Sequence, residues 1–144
     1  MSDMRHSIMI DAAPEQIYAL ISSATGFAQW WAEDATEGGS SGTVELGFFH
    51  RATLYRLRPL VMGAPLTAEW ICESGKEWTG TSLIFQLEPR GASVQLRFTH
   101  ANWLEESDYF VSCTTTWGEL MFRLKAAAEG KSRGPLFLAN SLAY

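Results

Sequence analysis

The chain is 144 residues long, with 47% hydrophobic and 19% charged residues and a formal net charge of −5 at pH 7. This length suits one folded domain, and the apolar content is well above that of disordered chains. The acidic balance, without a cluster of Lys or Arg, opposes binding to the phosphates of nucleic acids. We therefore predict a single soluble domain over residues 1–144 that binds no nucleic acid.

The N-terminus, the hydropathy pattern and the cysteines bear on the compartment. Residues 1–10 lack the basic stretch and apolar run of a signal peptide. No uncharged apolar stretch approaches the ~18 residues of a spanning helix. We expect a cytoplasmic protein without a membrane span. Cys72 and Cys113 have neither metal-ligand spacing nor the density of a disulfide scaffold, so we predict reduced, buried thiols and neither metal nor cofactor.

The first 31 residues predict one strand followed by two short helices. Polar and apolar residues alternate over Arg5–Asp11, which is typical of a half-buried strand. Pro14 suits the first turn of a helix, and a helical apolar stripe follows at Ile17, Leu20 and Ile21. Thr25 is the predicted cap of a second short helix, which carries Phe27, Trp30 and Trp31.

The middle of the chain predicts an antiparallel meander. The Gly- and Ser-rich segment Gly38–Gly42 is a predicted turn, because a phosphate-binding loop would need a following Lys and a helix. Five alternating apolar segments come after it without intervening helices: Thr43–Phe49, Ala52–Leu60, Leu66–Cys72, Thr79–Leu87 and Ser93–His100. Their alternation gives the sheet one broadly apolar face.

A long final helix is predicted from Ser107, a suitable N-cap, to about Glu129, with Gly130 as its stop. One stripe of this helix is apolar, and we expect it to cover the apolar face of the sheet: Phe110, Cys113, Trp117, Leu120, Met121 and Leu124. The tail, residues 131–144, is too apolar for a free end, so we expect it to dock on the domain or on a second subunit.

The order of these elements and several short sequence motifs resemble a known superfamily. Three stretches carry the likeness: Ala13–Ile21 with Trp30-Trp31, Pro59–Trp70, and Phe98-Thr99-His100 with Trp117–Lys125. They resemble the START-like (SRPBCC) helix-grip domains, in particular the subgroup related to the C-terminal domain of the activator of Hsp90 ATPase. The likeness covers about residues 5–130. It implies an α+β helix-grip fold, similar to Bet v1, in which a curved antiparallel sheet of six or seven strands wraps a long C-terminal helix.

The resemblance also implies a cavity between sheet and helix that holds a small hydrophobic molecule: a lipid, sterol, polyketide or aromatic metabolite. The inward-facing residues predicted to line it are Trp70, Leu83, Phe85, Leu96, Phe98, His100, Phe110, Trp117 and Met121. Among these, His100 is the expected polar contact, unless it is a core histidine with its bonds satisfied. Trp31 and Trp103 are expected near the entrance and Trp78 outside, and the tail could cap the cavity.

Two other functions stay open at this point. One is a stress-associated protein-interaction module like the co-chaperone domain, whose partner is a chaperone or a second copy of the chain. The other is an enzyme of the cyclase or dehydratase type, for which His100 with Tyr55 or Glu105 is the available titratable pair. No catalytic residue is predicted. Arg56 and Arg58 could reach an anionic head group, although such residues more often form a solvated sheet face.

Overall fold

A seven-stranded antiparallel sheet frames the computed structural model, which describes residues 1–39 and 42–140. The strands are β1 (Ser2–Ile10), β2 (Asp34–Glu37), β3 (Val44–Phe48), β4 (Thr53–Gly63), β5 (Thr67–Ser74), β6 (Ser82–Arg90) and β7 (Ser93–Trp103). Their order is β1-β7-β6-β5-β4-β3-β2, so the first strand pairs with the last and the others form a meander. The helices are α1 (Pro14–Ile21), α2 (Ala24–Phe27) and α3 (Asp108–Ala128), with a 3-10 helix at Lys76–Trp78. The predicted helix-grip fold is confirmed.

The two short helices form where the sequence predicts them, but the cap of α2 is a correction. Ser23, with extended backbone angles, accepts a hydrogen bond at its Oγ from the Gly26 amide at 3.0 Å. The predicted cap, Thr25, lies inside α2 and is exposed. The helix begins two residues early because the Ser23 hydroxyl reaches an otherwise unpaired amide of the first turn.

Two indole groups hold the end of α1. Trp30 Nε1 donates to the Leu20 carbonyl at 2.8 Å, and Trp70 Nε1 donates to the Ile21 carbonyl at 3.0 Å. The last carbonyls of a helix have no partner within the helix, so buried donors from elsewhere satisfy them. Trp70 is therefore an anchor between β5 and α1.

The long helix α3 packs its predicted stripe against the sheet. Ser107 Oγ accepts from the Phe110 amide at 3.2 Å, which confirms the predicted cap. All six stripe residues are buried. Cys72 and Cys113 are free and buried, as predicted. Trp78, which was expected outside the cavity, is instead buried, 4% exposed, because the 3-10 helix stacks its ring on Trp117 of α3.

The chain after α3 returns to the domain as a C-terminal strap, residues 132–140. The Phe137 amide donates to the Trp31 carbonyl at 3.0 Å, and the Glu33 amide donates to the Phe137 carbonyl at 2.9 Å. Arg123 Nη1 donates to the carbonyls of residues 133, 134 and 135. The strap thus lies on the domain, one of the two predicted positions for the tail. Residues 141–144 of the tail, and Ser40 and Ser41 of the predicted turn, lie outside the described residues.

None of the helices described in the structure is both long and apolar enough to cross a membrane.

Candidate ligand-binding site

A cavity of about 100 Å³ lies between α3, the neighbouring strands β3 and β4, and the strap. Its wall consists of Trp31, Phe48, Phe49, Thr53, Tyr55, Lys76, Trp78, Tyr109, Cys113, Thr116, Trp117, Leu120 and Phe137. Lys76 is exposed and Phe49, Tyr109 and Thr116 are half-buried, so these four form the rim. The other nine are buried and form an aromatic interior.

Ring packing fixes the shape of the interior. Trp31 and Trp117 have ring centroids 4.9 Å apart, and the Phe137 ring stands edge-on to Phe48 at 5.1 Å. Phe137 therefore closes the cavity from the strap side. It fulfils the capping role that the sequence left open for the tail.

Gly75 lets the 3-10 helix place Trp78 against Tyr55. The two rings are parallel within 3° at a centroid distance of 4.0 Å. A Cβ on Gly75 would lie 2.1 Å from Cδ1 of the Tyr55 ring, and the Gly75 φ is +116°. A residue with a side chain is excluded by both the contact and the backbone angle.

The polar groups of the cavity come from β4, the 3-10 helix and α3. The hydroxyls of Tyr55 and Tyr109 share a hydrogen bond, and Lys76 Nζ lies 5.3 Å from the centroid of the Tyr109 ring. Burial, with Tyr109 beside it, raises the pKa of Tyr55, so this phenol stays protonated. Burial also raises the pKa of the Cys113 thiol, against the opposing effect of the Trp78 indole N–H and the Tyr109 hydroxyl.

One donor in this group has no acceptor. Within the described residues, Trp78 Nε1 is buried and forms no hydrogen bond of acceptable distance and angle. The Cys113 thiol is near enough to be influenced by this N–H, but the two groups do not meet hydrogen-bond geometry. An indole nitrogen can only donate, and an acceptor that enters the cavity beside Trp78 would satisfy it. Trp103 Nε1 is also buried without an acceptor, but Trp103 lies outside the cavity wall.

His100 lies beneath the cavity wall in a chain of three hydrogen bonds. Trp117 Nε1 donates to His100 Nδ1 at 3.1 Å, and Nε2 lies 2.8 Å from Thr81 Oγ1. The Thr81 hydroxyl donates to the Trp78 carbonyl at 2.6 Å, so His100 Nε2 must carry the proton that Thr81 accepts. Burial lowers the pKa of His100 to about 3, which keeps the ring neutral.

These hydrogen bonds leave neither ring nitrogen of His100 free for the acid-base catalysis that the sequence left open. Both ring nitrogens are occupied by Trp117 and Thr81, neither of which is Tyr55 or Glu105. Glu105 is exposed, and Tyr55 bonds to Tyr109. The titratable pair needed for acid-base catalysis is therefore not assembled by these residues.

Of the nine predicted ligand contacts, Trp117 lines the cavity. The other eight are buried core residues outside its wall: Trp70, Leu83, Phe85, Leu96, Phe98, His100, Phe110 and Met121. Trp103, expected near the entrance, is buried and also lies outside the wall, whereas Trp31 belongs to it. Contact of the eight core residues with a ligand stays a prediction.

Several wall residues were not singled out by the sequence: Phe48, Phe49, Thr53, Tyr109, Thr116 and Phe137. One signal was available for Tyr109, which lies four residues before Cys113 and therefore on the same side of α3. For Phe49 no such signal exists. This residue has a φ of +55°, an uncommon backbone conformation that alternation along a strand does not predict.

The charged candidates belong to the outer surface. Arg56 contacts the Gly38 carbonyl and Glu45, and Arg58 Nε donates to Glu73 at 2.9 Å. Neither arginine lines the cavity. In the described part of the chain, no three His, Cys, Asp or Glu residues are grouped so that they could hold a metal ion.

A second depression, of about 500 Å³, lies at the surface between α1 and the end of α3. Its two carboxylates already accept hydrogen bonds, that of Asp11 from the Ser93 hydroxyl. Glu129 accepts from the Asp11 amide at 2.7 Å and from Lys125 Nζ at 2.8 Å. The smaller aromatic cavity is therefore the better candidate site.

The curved sheet, the gripped helix and the cavity between them define a helix-grip protein of the START-like (SRPBCC) class. The chain is similar to the Aha1 dimer from Colwellia psychrerythraea, at 30% identity and a TM-score of 0.81, over 91% of this chain and 98% of that chain. This identity over nearly the whole length shows that the chain belongs to the family of Aha1, and the resemblance to the subgroup related to the activator of Hsp90 ATPase is confirmed.

Other solved structures share the fold alone. One is a protein from Staphylococcus saprophyticus, at 11% identity and a TM-score of 0.72, over 96% of this chain and 99% of that chain. Another is CalU16 from Micromonospora echinospora, at 14% identity and a TM-score of 0.73, over 93% of this chain and 69% of that chain. Neither a protein-family model nor a curated protein sequence matches the chain.

Proposed function

We propose that this Aha1-family domain binds a small apolar molecule, about the size of one ring, in the aromatic cavity. The observation that carries the proposal is the buried aromatic interior, closed on one side by Phe137 and bordered by a partly exposed rim. Ligand sites are typically concave and apolar, with few polar groups that set orientation.

The size of the cavity narrows the ligand class. Drug-sized ligands occupy pockets of roughly 300–1,000 Å³, and a dry cavity of about 150 Å³ is enough for benzene. The present volume of about 100 Å³ therefore suits one small ring, accommodated by a slight shift of the rim. A sterol or a long lipid chain would require the strap to leave.

Two neighbouring threonines allow a matched test. Thr116 lines the cavity at its rim, whereas Thr115 is exposed, outside the cavity wall. Both hydroxyls bond back to carbonyls of their own helix. We expect Thr116→Phe to fill the cavity and Thr115→Phe to leave it open, with the same change in composition.

The experiment is a titration with toluene and p-cresol, followed by NMR at the indole N–H signals of the tryptophans. The unaltered protein and Thr115→Phe should bind with micromolar to millimolar dissociation constants, because a single ring has few atoms to bury. Thr116→Phe should lose binding. If no ring compound binds the unaltered protein, or if Thr116→Phe binds equally well, the proposal fails.

A second candidate, self-association, is favoured by a different observation. The tip of the β4–β5 hairpin exposes four large apolar side chains, which are 37–50% accessible: Leu60, Val61, Met62 and Leu66. Clusters of this kind are typical of interaction sites. The similar structure from Colwellia psychrerythraea is described as a dimer.

We propose that two copies of this chain associate through the hairpin tip. Light scattering coupled to size-exclusion chromatography should report a dimer that Val61→Lys converts to a monomer. Phe122→Lys is the control, since Phe122 is equally apolar and 59% exposed on α3. A dimer that survives Val61→Lys, or a monomeric unaltered protein, would rule out the hairpin tip as the interface.

A further inference from the structure

The polar lining of the cavity is biased toward one charge. In the described chain its wall contains one cation, Lys76, and no Asp or Glu. The remaining lining residues with N–H, O–H or S–H groups are Trp31, Thr53, Tyr55, Trp78, Tyr109, Cys113, Thr116 and Trp117. The protein as a whole carries a net charge of −5, so the cavity departs from the average of the chain. The hydroxyls and the thiol can accept as well as donate, whereas the Lys76 ammonium and the Trp78 N–H can only donate. These two groups favour a ligand with a negatively charged acceptor.

Trp78 supplies an independent observation that points to a ligand. The residue is 4% exposed, and its Nε1 makes no hydrogen bond to any described residue. Leaving a buried donor without an acceptor is unfavourable. By contrast, Trp117, another tryptophan of the wall, donates its N–H to His100. An acceptor on a ligand in the cavity is the partner that the wall itself does not provide for Trp78.

The cation and the unpaired donor are close in sequence and share one neighbour. Lys76 and Trp78 are the first and last residues of the 3-10 helix. The Lys76 ammonium lies over the Tyr109 ring, and the Tyr109 hydroxyl bonds to Tyr55, on which Trp78 is stacked. Lys76, Tyr109, Tyr55 and Trp78 therefore form one continuous part of the wall. Phe48, Leu120 and Phe137 add apolar surface to it.

We infer that the ligand is a one-ring aromatic carboxylate of the benzoate class, whose carboxylate meets Trp78 Nε1 and Lys76 while its ring packs among the aromatic walls. This inference rests on the proposed function, because it assumes that the cavity is occupied by a ring. It adds the charge and the position of the acceptor, which the volume alone does not define.

The test compares three probes of similar shape: benzoate, its neutral amide analogue benzamide, and toluene. The unaltered protein should bind benzoate about tenfold more tightly than the other two, as expected for a charge-assisted contact in a partly buried site. Benzoate should also move the Trp78 indole N–H signal downfield, because that proton enters a hydrogen bond. Lys76→Met should weaken benzoate binding about tenfold more than it weakens toluene binding. Lys131→Met, which removes an exposed lysine outside the cavity, controls for the loss of one positive charge.

The outcomes distinguish the carboxylate assignment from the ring binding on which it rests. If toluene binds but benzoate is no tighter, or if Lys76→Met leaves benzoate binding intact, the carboxylate assignment is overturned and ring binding stands. If none of the three probes binds, ring binding fails and the carboxylate assignment fails with it.

Discussion

The neutral, fully buried His100 makes the stability of the fold dependent on pH. Its Nδ1 accepts from Trp117 and its Nε2–H faces Thr81. A protonated ring would place two N–H groups against each other at Nδ1, in an interior that water does not reach. The folded protein therefore resists protonation until the pH approaches about 3, whereas an ordinary histidine takes up a proton near pH 6.5.

The difference between the pKa of His100 in the folded protein and that of an ordinary histidine means that acid lowers the free energy of unfolding. Below pH 6.5 the unfolded chain binds a proton at His100 that the folded chain does not, so acid favours unfolding. The free energy of unfolding falls by about 1.4 kcal/mol for each pH unit in this window. Between about pH 7 and about pH 4.5 the expected loss from His100 is roughly 2.5 kcal/mol.

The substitution His100→Gln isolates this contribution. Glutamine offers an amide donor and a carbonyl acceptor but does not titrate in this range. Urea unfolding, followed by tryptophan fluorescence, gives the free energy of unfolding of both proteins at each pH. Other groups whose pKa is lowered in the folded state, such as His6 and Glu129, are present in both proteins and cancel in the difference.

The unaltered protein should therefore lose roughly 2.5 kcal/mol more than His100→Gln across the range. Should His100→Gln fail to fold, His100→Asn provides the same comparison with a shorter side chain. Equal pH slopes for the two proteins would show that His100 takes up a proton in the folded state, and the hydrogen-bond chain from Trp117 to Thr81 would be wrong.

Three substitutions test how the fold positions the cavity. Trp70→Phe removes the donor at the end of α1 and should lower the free energy of unfolding by about 1–3 kcal/mol without changing ligand affinity; a loss under about 0.5 kcal/mol would mean that water replaces it. Gly75→Ala should lower the free energy of unfolding more than Gly80→Ala, because both glycines have positive φ but only Gly75 has a ring, that of Tyr55, beside it. If urea unfolding gives equal losses for the two variants, the effect comes from the backbone conformation alone. Arg123→Gln should accelerate hydrogen exchange at the Phe137 amide about tenfold by loosening the strap, and an unchanged rate would mean that the strap is held without Arg123.

The sequence predicted the fold where hydrophobic periodicity is strong. Alternation in β6 places Leu83 and Phe85 inside and Gln86 outside, and the structure does the same. The unpredicted strand, β2, has the sequence Asp-Ala-Thr-Glu and lies at the edge of the sheet. An edge strand with two partly exposed and two exposed residues carries no apolar signal, so pattern alone does not reveal it.

The site was predicted less well, because periodicity reports which side chains point inward and not what they meet there. Trp70 and Trp117 both point into the space between sheet and helices and were indistinguishable in the sequence. In the structure the Trp70 indole reaches a helix end and Trp117 reaches the cavity. The strap and the 3-10 helix, which bring Phe137 and Trp78 to the wall, are irregular segments whose course depends on tertiary contacts.

The indole N–H groups suggest how binding and packing are divided in this crowded interior. Trp30, Trp70 and Trp117 each donate to an internal acceptor, so each is fixed by the requirements of the fold. Among the described residues, Trp78 and Trp103 are buried with no acceptor for the indole N–H, and of these two Trp78 lies on the wall of the cavity. Because a shared fold does not define the chemistry of a site, structures with this fold at 11–14% identity do not bear on the proposed ligand. The unpaired donor and the lysine beside it are features of this chain, and they are where its specificity should be sought.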